Sequence, residues 1–271
     1  MKKSEWDDGV LERFKDEYDF ARCQRPDGSY YGTGGQCRKG APVDAKEKKS
    51  MTKRFDAGKE IGAGAYGSVV ETAEGSVIKE GFISEAEIQI ADKLAGIEGM
   101  PTVLGHEFTG KTTDDKYDTV RGMIEMEKMK GAPLGEQTLS KKDQAKAVDE
   151  YIRLRKEMHT RGVAHNDFHD NNFFYDKETG KGGAIDFGLS QISKKQALRE
   201  ALGTGRMEMD IQSHFLLQGM PSTPKLRRLE ENIARTQLKM LGKNYSDLDV
   251  IRGNISPKES RELTAEIYEG V

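Results

Sequence analysis

The sequence predicts an α+β fold with two segregated lobes, a small β-rich lobe followed by a helical one. Residues 58–80 contain short strand-like segments separated by glycines, and residues 120–129 alternate as a further strand. The second half instead carries apolar residues at helical spacing over 139–162, 192–202, 206–218 and 224–241. We therefore place the β-rich lobe at residues 55–130 and the helical lobe at residues 131–271.

Two helices have clear boundary signals. Ser84 and Glu87 have the capping-box spacing at the start of a helix predicted over residues 84–95, inside the β-rich lobe. The longest predicted helix, residues 139–162, ends at Gly162, a residue type that commonly terminates helices.

Composition excludes several classes of protein. The 271 residues are 35% hydrophobic and 33% charged, with a formal net charge of −3. A chain of this size buries a sufficient core without disulfides, and its two cysteines fit a reducing compartment. No apolar run approaches the ~18 residues of a membrane span, and the near-neutral charge disfavours nucleic acid as the main ligand. We expect a cytoplasmic protein with no membrane or nucleic-acid partner.

Residues 1–54 form a separate N-terminal extension in this prediction. Residues 4–22 have the pattern of one helix. Residues 23–54 are rich in glycine and turn-forming residues, which predicts a flexible loop or linker. Lys and Arg outnumber acidic residues between Arg38 and Arg54, so this stretch is either a solvated basic linker or an arm that docks a partner.

A glycine-rich segment, IGAGAYGSVV, occupies residues 61–70. Gly62, Gly64 and Gly67 form a G-x-G-x-x-G pattern, and glycines let backbone N–H groups approach phosphate oxygens closely. A dinucleotide-binding fingerprint needs a helix after the third glycine, whereas Val69 continues a strand here. No Lys-Ser or Lys-Thr pair follows, which excludes a P-loop. The pattern predicts a strand–loop–strand cover over a phosphate.

Lys79 ends the strand-like segment SVIK, one strand after the glycines. From there an ammonium can reach the α- and β-phosphates of a nucleotide. Glu87, on the following helix, lies where an ion pair with Lys79 would hold that ammonium. Glu85 is two residues earlier and faces another way on a helix, so we rank Glu87 first.

The segment HNDFHDNN at residues 165–172 is the strongest chemical signal. Phosphoryl transfer needs a carboxylate near the acceptor hydroxyl and oxygen ligands for Mg²⁺. Asp167 can supply the carboxylate, and Asn172 can supply a neutral metal ligand. Asp186 follows a short apolar strand and is an anionic metal ligand, and a hairpin between Asn172 and Asp186 would bring the two side by side.

These four segments, in this order, resemble the signature set of protein kinases. The resemblance covers about residues 55–215 and implies a bilobal protein-kinase-like fold that uses ATP and Mg²⁺. It implies that Asp167 is the catalytic base, that Lys79 pairs with Glu87, and that Asn172 and Asp186 are the metal ligands. The hinge between the lobes would then follow Met126. The residues expected at the nucleotide are Gly62, Ala63, Gly64, Ala65, Tyr66, Gly67, Val69, Lys79, Glu127 and Met129.

The chain departs from the protein-kinase pattern in the catalytic loop. Asn166 replaces the usual Arg, which implies that control by a phosphorylated activation loop is absent. His169 replaces the Lys of Ser/Thr kinases, and H-x-D-x-H-x-x-N resembles the loop of aminoglycoside phosphotransferases and choline kinases. Asp210 looks like the aspartate that braces this loop from a later helix. The short activation segment is most similar to trimmed atypical kinases: the Rio group, the tRNA-threonylcarbamoyl-complex kinase and bacterial effector kinases.

Three functions follow as hypotheses. The first is an ATP- and Mg²⁺-dependent protein kinase acting on Ser or Thr of an unknown substrate, because every catalytic group is present. The second is a small-molecule kinase of the aminoglycoside or choline type. The third is a non-catalytic kinase-like protein that docks partners through residues 1–54. Residues 25–40 resemble short Gly-Cys motifs of tailed-phage structural proteins, which implies location in a host cytoplasm or a virion.

Overall fold

The structure is a computed structural model that describes residues 45–64, 67–112, 119–203, 222–246, 249–250 and 254–271. Several sequence predictions fall outside these ranges. They are the helices at 4–22 and 206–218, the loop at 23–44, and Ala65, Tyr66 and Asp210.

A five-stranded antiparallel sheet forms most of the first lobe, with strand order β1-β2-β3-β5-β4. Its strands are β1 (Lys59–Gly64), β2 (Gly67–Glu71), β3 (Ser76–Ser84), β4 (Val103–Thr112) and β5 (Thr119–Glu127). The helix predicted over residues 84–95 is present at Glu85–Lys93. We number it α2, because another helix precedes the sheet.

That preceding helix, α1 (Ala45–Ala57), corrects the expected linker. We predicted a loop through residue 54, but Met51 is buried against Ile78 and its neighbours in the sheet. Arg54 also forms a two-pronged ion pair with the buried Glu125 of β5, at 2.5 and 2.7 Å. The turn-forming residues that suggested a loop lie before Ala45, and Met51 and Arg54 share one helical face. Partner docking through residues 1–54 stays a prediction.

The second lobe is mainly helical, as predicted. Within the described ranges its helices are α3 (Lys141–Thr160), α4 (Lys194–Ala201), α5 (Pro224–Gly242) and α6 (Pro257–Ile267). A Ser or Thr hydroxyl caps the first turn of each, from Ser140, Ser193, Thr223 and Ser256. The helix expected from residue 192 begins only after Ser193, because Gln191 and Ile192 pair with another strand. We did not predict α6.

Short strands shape the surface of this lobe that faces the sheet. They are β6 (Ala132–Pro133), β7 (Val163–Ala164), β8 (Phe173–Asp176), β9 (Lys181–Ala184) and β10 (Gln191–Ile192). The predicted hairpin is present as β8 and β9, joined by a turn at residues 177–180. Asp176 stabilises this turn by accepting bonds from the backbone of Glu178 and the hydroxyl of Thr179.

Two close backbone approaches pack the β8–β9 hairpin against residues just before β4 and just after β5, and the first of them joins the two lobes. Gly99, between α2 and β4, accepts a hydrogen bond from Ala184 at 2.8 Å, and a Cβ there would lie 2.1 Å from the carbonyl oxygen of Gly182. Gly131 follows β5 with a φ of +85°, and a Cβ there would lie 2.4 Å from the carbonyl oxygen of Tyr175. Glycine is therefore required at both positions. The described residues thus form the predicted α+β fold, with a β-rich first lobe and a mainly helical second lobe.

Among the described residues, no helix combines the length and the apolar character needed to span a membrane.

Candidate active site

The candidate site lies where the sheet meets the helical lobe. Strand β3 and helix α2 contribute side chains from above, and the loop at residues 165–172 contributes them from below. A third segment, residues 186–188, passes between them. Three of the four predicted chemical segments thus meet in one region. The glycine-rich segment is next to Lys79 in the sheet, where Val69 pairs with Lys79.

Lys79 lies at the centre of this region. Strand alternation points Ile78 toward α1, so Lys79 faces the opposite side of the sheet. Its Nζ atom lies 2.9 Å from Oε1 of Glu87 and 3.1 Å from Oδ1 of Asp186. Burial opposes the charge of Lys79, but the two carboxylates outweigh burial and raise its pKa. The expected ion pair with Glu87 is therefore present and extends to Asp186.

Asp186 reaches this cluster through an unusual backbone conformation. Its φ is +58°, in the left-handed region, and its side chain is 49% exposed. Burial of part of the carboxylate would raise its pKa, but the Lys79 ammonium outweighs this and holds the pKa below its usual range. A Cβ at Gly188 would lie 3.3 Å from Oδ1 of Asp186 and 3.7 Å from Nζ of Lys79. Glycine therefore keeps space open beside the charged groups.

Asn172 and Asp167 lie together in the loop. Nδ2 of Asn172 donates to the backbone oxygen of Asp167 at 2.8 Å and to its carboxylate at 3.3 Å. This orientation leaves Oδ1 as the acceptor atom of the amide, as a metal ligand requires. The backbone N–H of Ile185 donates to the backbone oxygen of Asn172 at 3.0 Å, so the hairpin brings Asn172 close to Asp186. Burial raises the pKa of Asp167.

His165 anchors the loop in the core. Its Nε2–H donates to the backbone oxygen of Ile185 at 2.9 Å, and its ring packs against Phe168 and Phe187. Burial lowers the pKa of His165, so the ring is neutral near pH 7.

Asn166, where protein kinases carry Arg, makes a contact of its own. Its φ is +62°, a conformation that Asn tolerates better than most residues. Its Nδ2 donates to the backbone oxygen of Leu189 at 2.9 Å. This hydrogen bond connects the loop directly to the segment after Asp186, and no phosphorylated residue is needed for the connection.

The fold requires glycine at some positions of residues 61–70 and not at others. Gly67 has a φ of +147°, and a Cβ there would lie 2.0 Å from the carbonyl oxygen of Glu80. A Cβ at Gly62 would meet only Val69, at 3.9 Å. Gly67 is therefore required by the sheet, whereas Gly62 is not. Gly64 pairs with Gly67 at the end of the β1–β2 ladder.

One contact of β5 reduces the number of backbone groups that could bind a nucleotide at residues 127–129. The backbone N–H of Glu127 donates to the oxygen of Thr102 at 2.9 Å, so it is not available to a nucleotide. The Met129 side chain packs against Gly183, where a Cβ would lie 2.3 Å from its sulfur. Of the expected hinge groups, the carbonyl of Glu127 and the N–H of Met129 stay predictions.

Sequence reasoning missed one residue of this region, Glu200. Its carboxylate accepts a hydrogen bond from the backbone N–H of His165 at 2.8 Å and a second from the N–H of Asn166. It thus braces the loop from α4, while the brace expected from Asp210 lies outside the described residues and stays a prediction. The one available signal was a Glu among the apolar residues Ala197, Leu198 and Ala201 of a predicted helix.

Part of the chain is similar to known proteins. Residues 128–193, which carry the loop and the hairpin, match the model of the APH phosphotransferase enzyme family. Among solved structures, the kinase PK-1 of Cydia pomonella granulovirus is similar at 17% identity and a TM-score of 0.41. That match covers 54% of this chain and 60% of the viral kinase, which is less than two thirds of its length. Asp167, Asn172 and Asp186 of the candidate site all lie within the segment that is similar to this phosphotransferase family.

Proposed function

We propose that the protein transfers the γ-phosphoryl group of ATP, with Mg²⁺, to a Ser or Thr hydroxyl of a protein substrate. The observation that carries this proposal is the shared position of Lys79, Asp186, Asn172 and Asp167. A cation, a hard anionic ligand, an amide oxygen and a carboxylate of raised pKa are the groups that this reaction requires.

The residues fit Mg²⁺ and nucleotide phosphates. Oδ1 of Asn172 and the half-exposed carboxylate of Asp186 are oxygen donors, the type that Mg²⁺ prefers, and would hold it. When bound, the metal neutralises charge on the phosphate oxygens. Lys79, fixed by Glu87, orients the α- and β-phosphates, and the absence of a side chain at Gly62 lets the backbone approach them closely.

Asp167 is the proposed proton acceptor. Its carboxylate lies at the edge of the loop and is 17% exposed, so an acceptor hydroxyl can reach it. Burial raises its pKa toward that of an effective general base. As the hydroxyl oxygen bonds to the γ-phosphorus and the bond to the ADP oxygen breaks, Asp167 takes the hydroxyl proton.

A protein acceptor is favoured by where the C-terminal helices pack. Leu229 and Met240 of α5 and Leu263 and Ile267 of α6 are buried in the main core of the helical lobe. These helices are therefore used in the core and are not available as a lid that would enclose a small acceptor.

A small-molecule acceptor is the second candidate. The family match over residues 128–193 is compatible with it, because that model describes phosphotransferases and does not specify a protein acceptor. His169 supports it as well, since it replaces the Lys of Ser/Thr kinases and lies 3.7 Å from the carboxylate of Asp167.

Mass spectrometry after incubation with ATP and Mg²⁺ tests the proposal. We expect phosphate on Ser or Thr of casein or of the protein itself, and none with Asp167→Asn. Turnover only with a panel of amino-alcohols would favour the second candidate. Absence of transfer together with no thermal stabilisation by millimolar ATP and Mg²⁺ would favour a non-catalytic docking protein.

A further inference from the structure

Helix α5 has an apolar face that is exposed to solvent. Leu238 and Leu241, one helical turn apart, are 69% and 64% exposed, more than any other large hydrophobic residue of the described ranges. Ala234, one turn before Leu238, is exposed as well. The opposite face of α5, with Leu229 and Met240, is buried in the core of the helical lobe. The exposed leucines therefore take no part in that core and are available to a docking segment.

The exposed surface of α5 also carries an excess of positive charge. Five of its exposed residues are basic: Lys225, Arg227, Arg228, Arg235 and Lys239. Its exposed acidic residues are Glu230 and Glu231, so the exposed charges of this helix sum to +3. Two such surfaces repel each other, which disfavours pairing of α5 with α5 of a second copy. A segment that fits this face combines apolar side chains with negative charge.

Residues 4–22 have that composition, and they lie outside the described residues. Trp6, Val10, Phe14 and Tyr18 recur every four residues, so they form one apolar stripe on the helix that the sequence predicts there. The segment contains seven acidic and three basic residues, which gives it a net charge of −4. It therefore complements α5 both in charge and in apolar character.

The chain that follows this segment is long enough for it to reach α5. Residues 23–44 connect it to α1, which is fixed to the sheet by Met51 and Arg54. These 22 residues span about 70 Å when extended. A compact chain of 271 residues has a radius of gyration of only about 18 Å. The helical lobe is therefore within reach from the start of α1.

Helix α1 is basic in sequence as well, but it fits the segment less well than α5 does. Met51 and Phe55, its apolar residues within the part of the chain whose side chains are described, pack against the sheet. A contact with α1 would therefore rest on charge alone, whereas α5 supplies charge and exposed leucines together.

We propose that residues 4–22 dock, as a helix, with their apolar stripe on the exposed face of α5 in the same chain. Because α1 packs on the sheet, the N-terminal extension is then fastened to both lobes, once through α1 and once through residues 4–22. This inference does not rest on the proposed function, since the contact uses none of the residues of the candidate active site.

Trp6 is the only tryptophan of the chain, so tryptophan fluorescence of the whole protein reports on this segment alone. An indole that packs on leucines emits at a shorter wavelength than one in water. We expect wild-type emission at a shorter wavelength than that of a synthetic peptide of residues 4–22. Combining Leu238→Glu with Leu241→Glu should move the emission to that of the peptide, because the new carboxylates repel the acidic segment and remove its apolar contact.

Leu104→Glu is the matched control. Leu104 is 51% exposed and lies in β4 of the first lobe, so this variant places the same charge on a leucine away from α5. We expect wild-type emission from it. All three leucines are exposed, so these variants should fold as wild type does, which circular dichroism checks. Wild-type emission equal to that of the peptide, unchanged emission in the α5 variant, or equal shifts in the α5 and Leu104 variants would overturn the proposal.

Phe14→Glu tests the other side of the contact and leaves Trp6 in place. We expect the same shift to longer wavelength as in the α5 variant, and no further shift when the two are combined, because both remove one contact. A shift with Phe14→Glu and none with the α5 variant would mean that the segment packs on another surface, and the proposal would be wrong.

Dilution shows whether the segment uses α5 of its own chain. Docking within one chain gives an emission wavelength that does not change with protein concentration. Emission that moves toward that of the peptide on dilution would show that a second copy supplies the helix, which contradicts the proposal. All of these readouts are made without ATP, so an inactive protein that shows the expected shifts would refute phosphoryl transfer and keep the docking.

Discussion

At the residue scale, the site depends on a buried lysine that is charged because two carboxylates face it. The Lys79 side chain is 13% exposed and that of Glu87 is 5% exposed. Water therefore compensates neither charge fully, and each charge depends on its partner. Removing one partner of such a pair leaves an uncompensated buried charge, which is more costly than replacing both.

Lys79→Met should therefore abolish phosphoryl transfer and also lower the free energy of unfolding, by about 2–4 kcal/mol. Adding Glu87→Gln should restore part of that stability, because the buried carboxylate is gone, while activity stays absent. Urea denaturation of the two variants measures this. A double variant less stable than Lys79→Met would show that the pair does not compensate itself as described.

Two glycines of the glycine-rich segment, Gly67 and Gly62, differ in whether the fold requires them. Gly67→Ala forces a Cβ against the carbonyl of Glu80 at a positive φ, so we expect a loss of about 2–4 kcal/mol of stability. Gly62→Ala meets only Val69, and we expect stability within about 0.5 kcal/mol of wild type with a raised KM for ATP. Thermal unfolding and kinetics of both variants test this, and a Gly62→Ala variant with unchanged KM would refute a nucleotide role for that residue.

At the element scale, helix α1 is fastened to the face of the sheet opposite Lys79. Arg54 bonds to both carboxylate oxygens of Glu125, and the hydroxyl of Ser76 donates to the same carboxylate at 2.7 Å. Thr72 extends this network to Ser76. The network ties α1 to β3, the strand that carries Lys79.

Arg54→Leu leaves Glu125 buried with a hydroxyl as its remaining described partner. We expect a loss of about 1–2 kcal/mol of stability, moderated because Arg54 is partly exposed. Lys128→Ala is the control, since its pair with Glu71 lies on the surface and should contribute less than about 1 kcal/mol. Equal effects of the two substitutions on urea unfolding would show that the α1 contact is only a surface pair.

The elements with local signals were predictable and those set by distant contacts were not. The helices near residues 84–95 and 139–162 have caps and apolar periods, and both are present at nearly the predicted bounds. Helix α1 was missed because its packing depends on Met51 meeting strands far along the chain. Glu200 was missed because it contacts residues 34 and 35 positions away, which no local spacing reveals.

At the scale of the whole molecule, buried titratable groups determine the response to acid. His159 and His165 stay neutral in the folded state because burial lowers the pKa of each, whereas both take up a proton on unfolding below about pH 6.5. The pKa of Glu200 is lowered from 4.5 to about 2. Its stabilisation is present above pH ~4.5 and is lost as the pH falls toward 2.

We therefore expect the free energy of unfolding to fall from pH 7 to pH 5, because of the histidines, and further toward pH 3.5, because of Glu200. The stability difference between wild type and Glu200→Gln should shrink between pH 5 and pH 3.5. Urea unfolding at these three values of pH measures both effects. A flat profile between pH 7 and pH 5 would contradict the assignment of two buried neutral histidines.

The central claim is that Asp167 and Asp186 serve one bound ATP–Mg²⁺ with different roles. Calorimetric titration of ATP, with and without Mg²⁺, into wild type, Asp167→Asn and Asp186→Asn tests it most directly. We expect Asp167→Asn to bind ATP with the Mg²⁺ dependence of wild type yet transfer no phosphate, and Asp186→Asn to lose that dependence. Identical Mg²⁺ dependence in all three proteins, or phosphoryl transfer by Asp167→Asn, would contradict the claim.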